Sequence, residues 1–243
     1  MIADLQRLWQ EAFNNSNDFT GLFFNTGYSP ERHHCICENN VPVSALYWFD
    51  CQLQGQKLAY IYAVATLKSH RGKGLARRLM AETHEILRQK GYAGAILVPE
   101  KESLFDFYRK LDYRVVTTVA EFSCVAGDMP PPLRQIDAAE YARLRDKLLP
   151  IGSVIYAGAI LDFLAGYCKL YAGEDFLLAG EFIDGHLVAQ ELLGNTDAAP
   201  GIVKALGCTK GHFRAPGNDR EFAMYLPLTE NCPKPTYFGL ALD

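Results

Sequence analysis

No apolar run reaches the roughly 18 to 20 residues needed to cross a membrane. The opening Met1-Ile2-Ala3-Asp4-Leu5-Gln6 has no basic stretch followed by an apolar one, as an export signal would. A cytoplasmic protein with no membrane association is expected. Positive charge is also scarce. The 24 Lys and Arg against 28 Asp and Glu leave a net charge of −4, which disfavours a general nucleic-acid binder. The seven cysteines, at 35, 37, 51, 124, 168, 208 and 232, are odd in number and scattered through apolar segments. They read as reduced, mostly buried thiols and not as a disulfide framework. Zinc-finger spacing is missing too. His33, His34, Cys35 and Cys37 lie together, but adjacent histidines on a strand point to opposite faces and no second pair follows. No metal is expected. Neither GxxxxGK followed by Ser or Thr nor GxGxxG occurs, which excludes the usual triphosphate and dinucleotide loops. What the chain has in quantity is apolar residue, 49% against 21% charged over 243 positions. That is enough for a real core, in one large domain or two small ones.

The informative stretch runs from Leu58 to Arg88. It reads as an apolar strand to Thr66, a basic glycine turn (Lys68-Ser69-His70-Arg71-Gly72-Lys73-Gly74), and then an amphipathic helix. On that helix Leu75, Leu79, Met80, Thr83, Ile86 and Leu87 form the apolar stripe, Gly91 is the stop, and His84 falls beside the polar face as a solvated side chain. Strand, glycine loop and helix in this order make an anion cradle. The glycines allow close backbone approach, and the first helical turn leaves N–H groups unpaired at the positive end of the dipole. Arg71 and Lys73 add charge there.

Arg71-Gly72-Lys73-Gly74-Leu75-Ala76 matches RxxGxA and so resembles the acetyl-coenzyme A pyrophosphate signature of the GCN5-related N-acetyltransferase (GNAT) superfamily. The preceding Val64-Ala65-Thr66 is similar to the end of that family's fourth strand. A second stretch, Phe107-Tyr108-Arg109-Lys110-Leu111-Asp112-Tyr113, resembles the family's later "FY-x-K-L-G-[FY]" helix end. Asp112 replaces the usual glycine, and Lys101 stands where an asparagine often contacts the cofactor. The resemblance implies an α/β fold with a mixed sheet and acetyl-coenzyme A as cosubstrate. It implies that the backbone of Val64, Ala65 and Thr66 pairs with the pantetheine arm and that Arg71, Gly72, Lys73, Gly74, Leu75 and Ala76 hold the pyrophosphate. Tyr108 would protonate the departing thiolate. Tyr108 also shares a helical stripe with Leu104, Phe107 and Leu111, so packing is the competing reading. The base stays open. Tyr60 occupies the place where some relatives carry a glutamate, leaving Glu100, Glu38 or a water relay.

The rest of the chain sorts around these motifs. Leu5, Leu8, Trp9, Ala12 and Phe13 mark an opening helix, and the aromatics Phe19, Phe23, Phe24 and Tyr28 are either core or acceptor pocket. Strands are expected at 33–38, 43–49 and 92–98, with a turn at Asn39-Asn40. Three consecutive prolines, 130 to 132, make 126–133 a linker. Beyond it, helices at 138–148 and 154–171, a hairpin over 176–193 turning at Asp184-Gly185, a short helix at 202–206, and strands near 211–215, 222–228 and 236–242 repeat the earlier order. No RxxGxA stands at 194–201. The expected organisation is therefore a GNAT domain at 1–125, the linker, and a degenerate GNAT-like domain at 134–243. This pairing is similar to the enhanced intracellular survival acetyltransferases. The implied activity is N-acetyl transfer to a primary amine of a small molecule or peptide. A non-catalytic acyl-coenzyme A sensor is the alternative, and a homo-oligomer is left open.

Overall fold

The computed structural model describes residues 1–156 and 158–242. Helices α1 (Ile2–Phe13) and α2 (Asn17–Leu22) lead into strands β1 (His33–Glu38), β2 (Val41–Leu53) and β3 (Gln56–Thr66). Helix α3 (Leu75–Gln89), strand β4 (Gly94–Leu97) and helix α4 (Glu102–Arg109) follow. Then come β5 (Arg114–Val115), β6 (Thr118–Val125), β7 (Arg134–Gln135), α5 (Ala138–Leu148), β8 (Ile155–Tyr156), α6 (Ala159–Tyr167) and β9 (Lys169–Ala172). The chain finishes with β10 (Phe176–Ile183), β11 (His186–Gly194), α7 (Ala199–Ala205), β12 (Lys210–Pro216), β13 (Arg220–Glu221) and β14 (Met224–Pro227). The class is mixed α/β, built on two sheets.

The first compact unit is Met1–Arg114, joined by α6 residues up to Phe163 and by Met224–Pro233. Its sheet runs β1-β2-β3-β4-β14. Each hairpin turn has two residues with positive φ, Asn39-Asn40 (51° and 63°) and Gln54-Gly55 (50° and 79°), the twist that matches adjoining strands. Helix α1 buries Leu5, Leu8 and Trp9 and ends where Asn14 turns left-handed, its N–H donating to the Gln10 carbonyl. Trp9 stacks on Phe23 at 4.4 Å, and Phe23 in turn meets Tyr47 at 5.0 Å and Phe163 at 5.4 Å. Phe23, in a π-helical turn after α2, is therefore core. Helix α3 buries Leu79, Met80, Thr83, His84 and Leu87. His84 is a correction: it is buried, not solvated, because the apolar stripe is wide enough to take in the position beside Thr83.

The second unit comprises Val115–Tyr156, the chain from Leu164 to Ala223, and the stretch beginning at Lys234. Its sheet runs β13-β6-β12-β11-β10-β9-β7, over a core that includes Leu178, Leu192, Ile202, Val203 and Phe213. Beneath it Arg145 and Glu191, both buried, form a two-pronged ion pair (2.7 and 2.9 Å), and the carboxylate also accepts from the hydroxyls of Tyr141 and Tyr237.

The sheets do not divide the sequence at one point. Strand β6, expected in the first domain, pairs with β12 in the second sheet, and β14, expected in the second domain, pairs with β4 in the first. A strand's own pattern specifies its buried face but not its sheet partner, so the sequence boundary at 125 could not register this exchange. Residues 126–133 carry no helix or strand. The helix expected over 154–171 is interrupted, with Gly158 at φ 66° ahead of α6 and β9 after it. The expected strand at 236–242 is reduced to an isolated bridge between Tyr237 and Ser153.

Candidate active site

Strands β3 and β4 run parallel but pair only at Leu58–Gly94, Ala59–Ala95 and Tyr60–Ile96. Among the described residues, the β3–β4 pairing goes no further than Tyr60. On its other side the register with β2 slips between Ala45 and Tyr47, so Ala63 and Val64 together oppose Leu46. Ala63 takes a φ of 50° there. This is a β-bulge, which bends the strand and leaves its extra residue out of the ladder with β2.

The strand end is held firmly. Ser44 Oγ donates to the Ala65 carbonyl at 2.9 Å and lies 2.8 Å from Thr66 Oγ1, and Arg71 Nε donates to the Thr66 carbonyl at 3.1 Å. Glu11 accepts from the Lys68 N–H at 2.7 Å. His70 is fixed between Ser69 Oγ (2.8 Å) and Glu38 (3.2 Å). Gly72 and Gly74 then both adopt a φ of 78°. A Cβ at either would meet nothing within 4 Å, so glycine is needed here for its left-handed conformation and not for space. Gly74 caps α3 without any side-chain cap, and the first intrahelical bond runs from the Arg78 N–H to the Gly74 carbonyl at 3.1 Å. The amides of the first turn face outward with the helix dipole behind them.

These parts share one cleft of about 600 Å³. Val64, Ala65, Thr66, Arg71, Gly72, Gly74, Leu75 and Ala76 line it on the strand and loop side, and Glu100 and Tyr108 line it on the α4 side. Lys73 is exposed and is not part of the lining. Lys101, at the position that replaces a family asparagine, does line the cleft, 3.5 Å from Glu100. His70 and Arg77, from the basic stretch around the glycine turn, also line it, and so do Phe13 and Ser103, which the sequence did not mark as site residues. The aromatics Phe19, Phe23, Phe24 and Tyr28 are not among the lining residues.

Tyr108 is buried on α4, 8% exposed, yet no hydrogen bond ties its hydroxyl to another described residue. Burial, helped by the Glu100 charge, pushes the phenol well above its usual range. It therefore keeps its proton throughout the neutral range. Asp112, in place of the family glycine, still adopts the left-handed turn (φ 66°) that ends the helix; a short polar side chain tolerates that region. Glu38 is engaged with His70 and does not line the cleft, whereas Glu100 does.

Residues 2–116 match the family model described as Acetyltransferase (GNAT) domain. Among curated proteins none matches the sequence. A GCN5-related N-acetyltransferase from Kribbella flavida superposes with a TM-score of 0.69 at 20% identity, covering 93% of this chain and 69% of that one. Eis1 from Mycobacterium abscessus gives 0.67 at 13% identity, with coverages of 94% and 72%. A putative acetyltransferase from Pyrococcus horikoshii gives 0.67 at 14% identity, with 98% and 90%. At these identities the likeness is one of fold, and the fold is the one these acetyltransferases share.

Proposed function

We propose that the protein is an acetyl-coenzyme A-dependent N-acetyltransferase, on the support of the match between residues 2–116 and the acetyltransferase (GNAT) domain model. It passes the acetyl group directly to a primary amine of a small molecule or peptide within a ternary complex. One observation carries this reading: the uncapped start of α3, the end of β3 beyond its pairing with β4, and the Tyr108 side chain all line the same cleft.

The donor set fits coenzyme A. Backbone amides of the α3 first turn, with Arg71 and Arg77 beside them, suit a pyrophosphate, and the freed edge of β3 suits an amide-bearing arm that pairs like a strand. When bound, the cosubstrate supplies an acetyl group activated as a thioester. The chain's residues do the rest. Backbone N–H groups around the Ala63 bulge polarise the carbonyl oxygen. Glu100 accepts the proton of the incoming ammonium, directly or through water. As the new C–N bond forms and the C–S bond breaks, Tyr108 gives its proton to the sulfur; the second proton, shed by the acylated nitrogen, restores Tyr108, and the first leaves Glu100 for solvent.

The second unit is proposed to be a degenerate GNAT-like unit without a cofactor site. It repeats the succession of the first: β9, β10 and β11 antiparallel, helix α7, then β12 parallel to β11. The start of α7 is covered by the chain itself. The Gly127 N–H donates to the Pro200 carbonyl at 2.8 Å, and a Cβ on Gly201 would lie 2.5 Å from the Met129 carbonyl oxygen.

Thiol release from acetyl-coenzyme A across a panel of primary amines tests the proposal. Amine-dependent thiol release with an equimolar acetylated product is expected. Saturable coenzyme A binding with no release above background would identify an acyl-coenzyme A sensor instead.

A further inference from the structure

Behind Tyr108 lies a buried polar contact that the chemistry above does not use. Tyr113 is fully buried, and its hydroxyl sits 2.9 Å from Nε2 of His84, which is itself 7% exposed. Nothing else among the described residues bonds either group. The Tyr113 ring packs edge-on against Tyr108, with centroids 5.9 Å apart at 66°. Its N–H also donates to the Tyr108 carbonyl at 3.2 Å, across the left-handed turn at Asp112. Tyr108 is thus held by its backbone and by ring contacts with Tyr113 and Phe107, while no hydrogen bond to another described residue fixes its hydroxyl.

An untethered proton donor has to be aimed from behind. Edge-to-face packing restricts a ring only as well as the supporting ring is itself restricted, and a phenol held at its far end by a buried hydrogen bond cannot tilt without losing it. We infer that His84 and Tyr113 are positioning residues for Tyr108. The His84–Tyr113 bond locks the ring that sets where the Tyr108 hydroxyl meets the departing sulfur. The inference rests on Tyr108 being the proton donor.

Tyr113→Phe keeps the ring and deletes the bond; His84→Leu deletes it from the other side. Each is expected to lower kcat about 10-fold, since misplacement on the scale of an ångström costs up to about 100-fold, with the KM for acetyl-coenzyme A unchanged. The double variant, which leaves no buried group unpartnered, should lose no more than either single one. In a Tyr108→Phe background neither substitution should lower kcat further, a result that a general loosening of the fold does not give. Retention of kcat within twofold in Tyr113→Phe, or an undiminished effect in the Tyr108→Phe background, overturns the inference while leaving Tyr108 as the acid. Full activity of Tyr108→Phe itself overturns the general-acid reading and the inference with it. Should His84→Leu fail to fold, Tyr113→Phe and its Tyr108→Phe combination still decide the matter.

Discussion

The Tyr108 hydroxyl provides the sharpest separation of chemistry from packing. In Tyr108→Phe the buried ring, its edge contact with Tyr113 and the α4 stripe all remain, and no protein hydrogen bond is lost. The change should therefore shift folding stability by no more than about 0.5 kcal/mol. It should leave coenzyme A affinity nearly unaltered, because the loop and the α3 start are untouched. Turnover is another matter. A positioned general acid is worth about 100- to 10,000-fold, so kcat should fall by that factor, equivalent to about 3 to 5.5 kcal/mol of transition-state stabilisation. Steady-state thiol release at saturating amine gives kcat and KM, a calorimetric titration gives affinity, and a thermal melt gives stability. A variant that melts several degrees lower and turns over normally would mean that the tyrosine is a packing residue and that the proton comes from elsewhere.

Three further outcomes follow from the same geometry. Glu191→Gln strips the buried Arg145 of its anion, and breaking such a pair from one side costs about 3 to 5 kcal/mol; urea unfolding should reveal a loss of that size, and one below about 1 kcal/mol would mean the site readily repacks or admits water. Gly74→Ala places a side chain at φ 78° with free space around it, so the cost is backbone strain of about 1 to 2 kcal/mol, and titration should find coenzyme A bound more weakly. Burial first, and Arg88 second, lower His84 to about 4. The unfolded chain, near 6.5, then binds the proton more readily. Stability should be complete above pH 6.5, decline on the order of 3 kcal/mol toward pH 4 and level off below; this component should vanish in His84→Gln, as melts from pH 4 to 8 would reveal.

The layout of the candidate site was legible because its parts are local in sequence. The strand ending at Thr66, the glycines at 72 and 74 and the helix from Leu75 follow one another directly, and each has its own signal of alternation, turn residue or helical period. Tyr108 sits on a recognisable helix end, and Asp112 still made the turn its glycine counterpart would make. What escaped is long-range. Nothing near β6 or β14 encodes which sheet it enters. The Arg145–Glu191 pair spans positions with no common motif, and both residue types read as surface charge until burial is known. His84 was misjudged because a helical wheel ranks faces but does not set the width of the buried stripe. The bulge at Ala63 is carried by a residue with no preference for positive φ, so only pairing with β2 exposes it.

The account stands or falls on whether the cleft between β3 and the start of α3 grips coenzyme A. Isothermal titration of coenzyme A into the purified protein measures this without reference to any acceptor. Saturable binding at one molecule per chain, weakened in Gly74→Ala and unaltered in Tyr108→Phe, is the expected result. A flat trace at millimolar ligand, or two equivalent sites per chain, would contradict it.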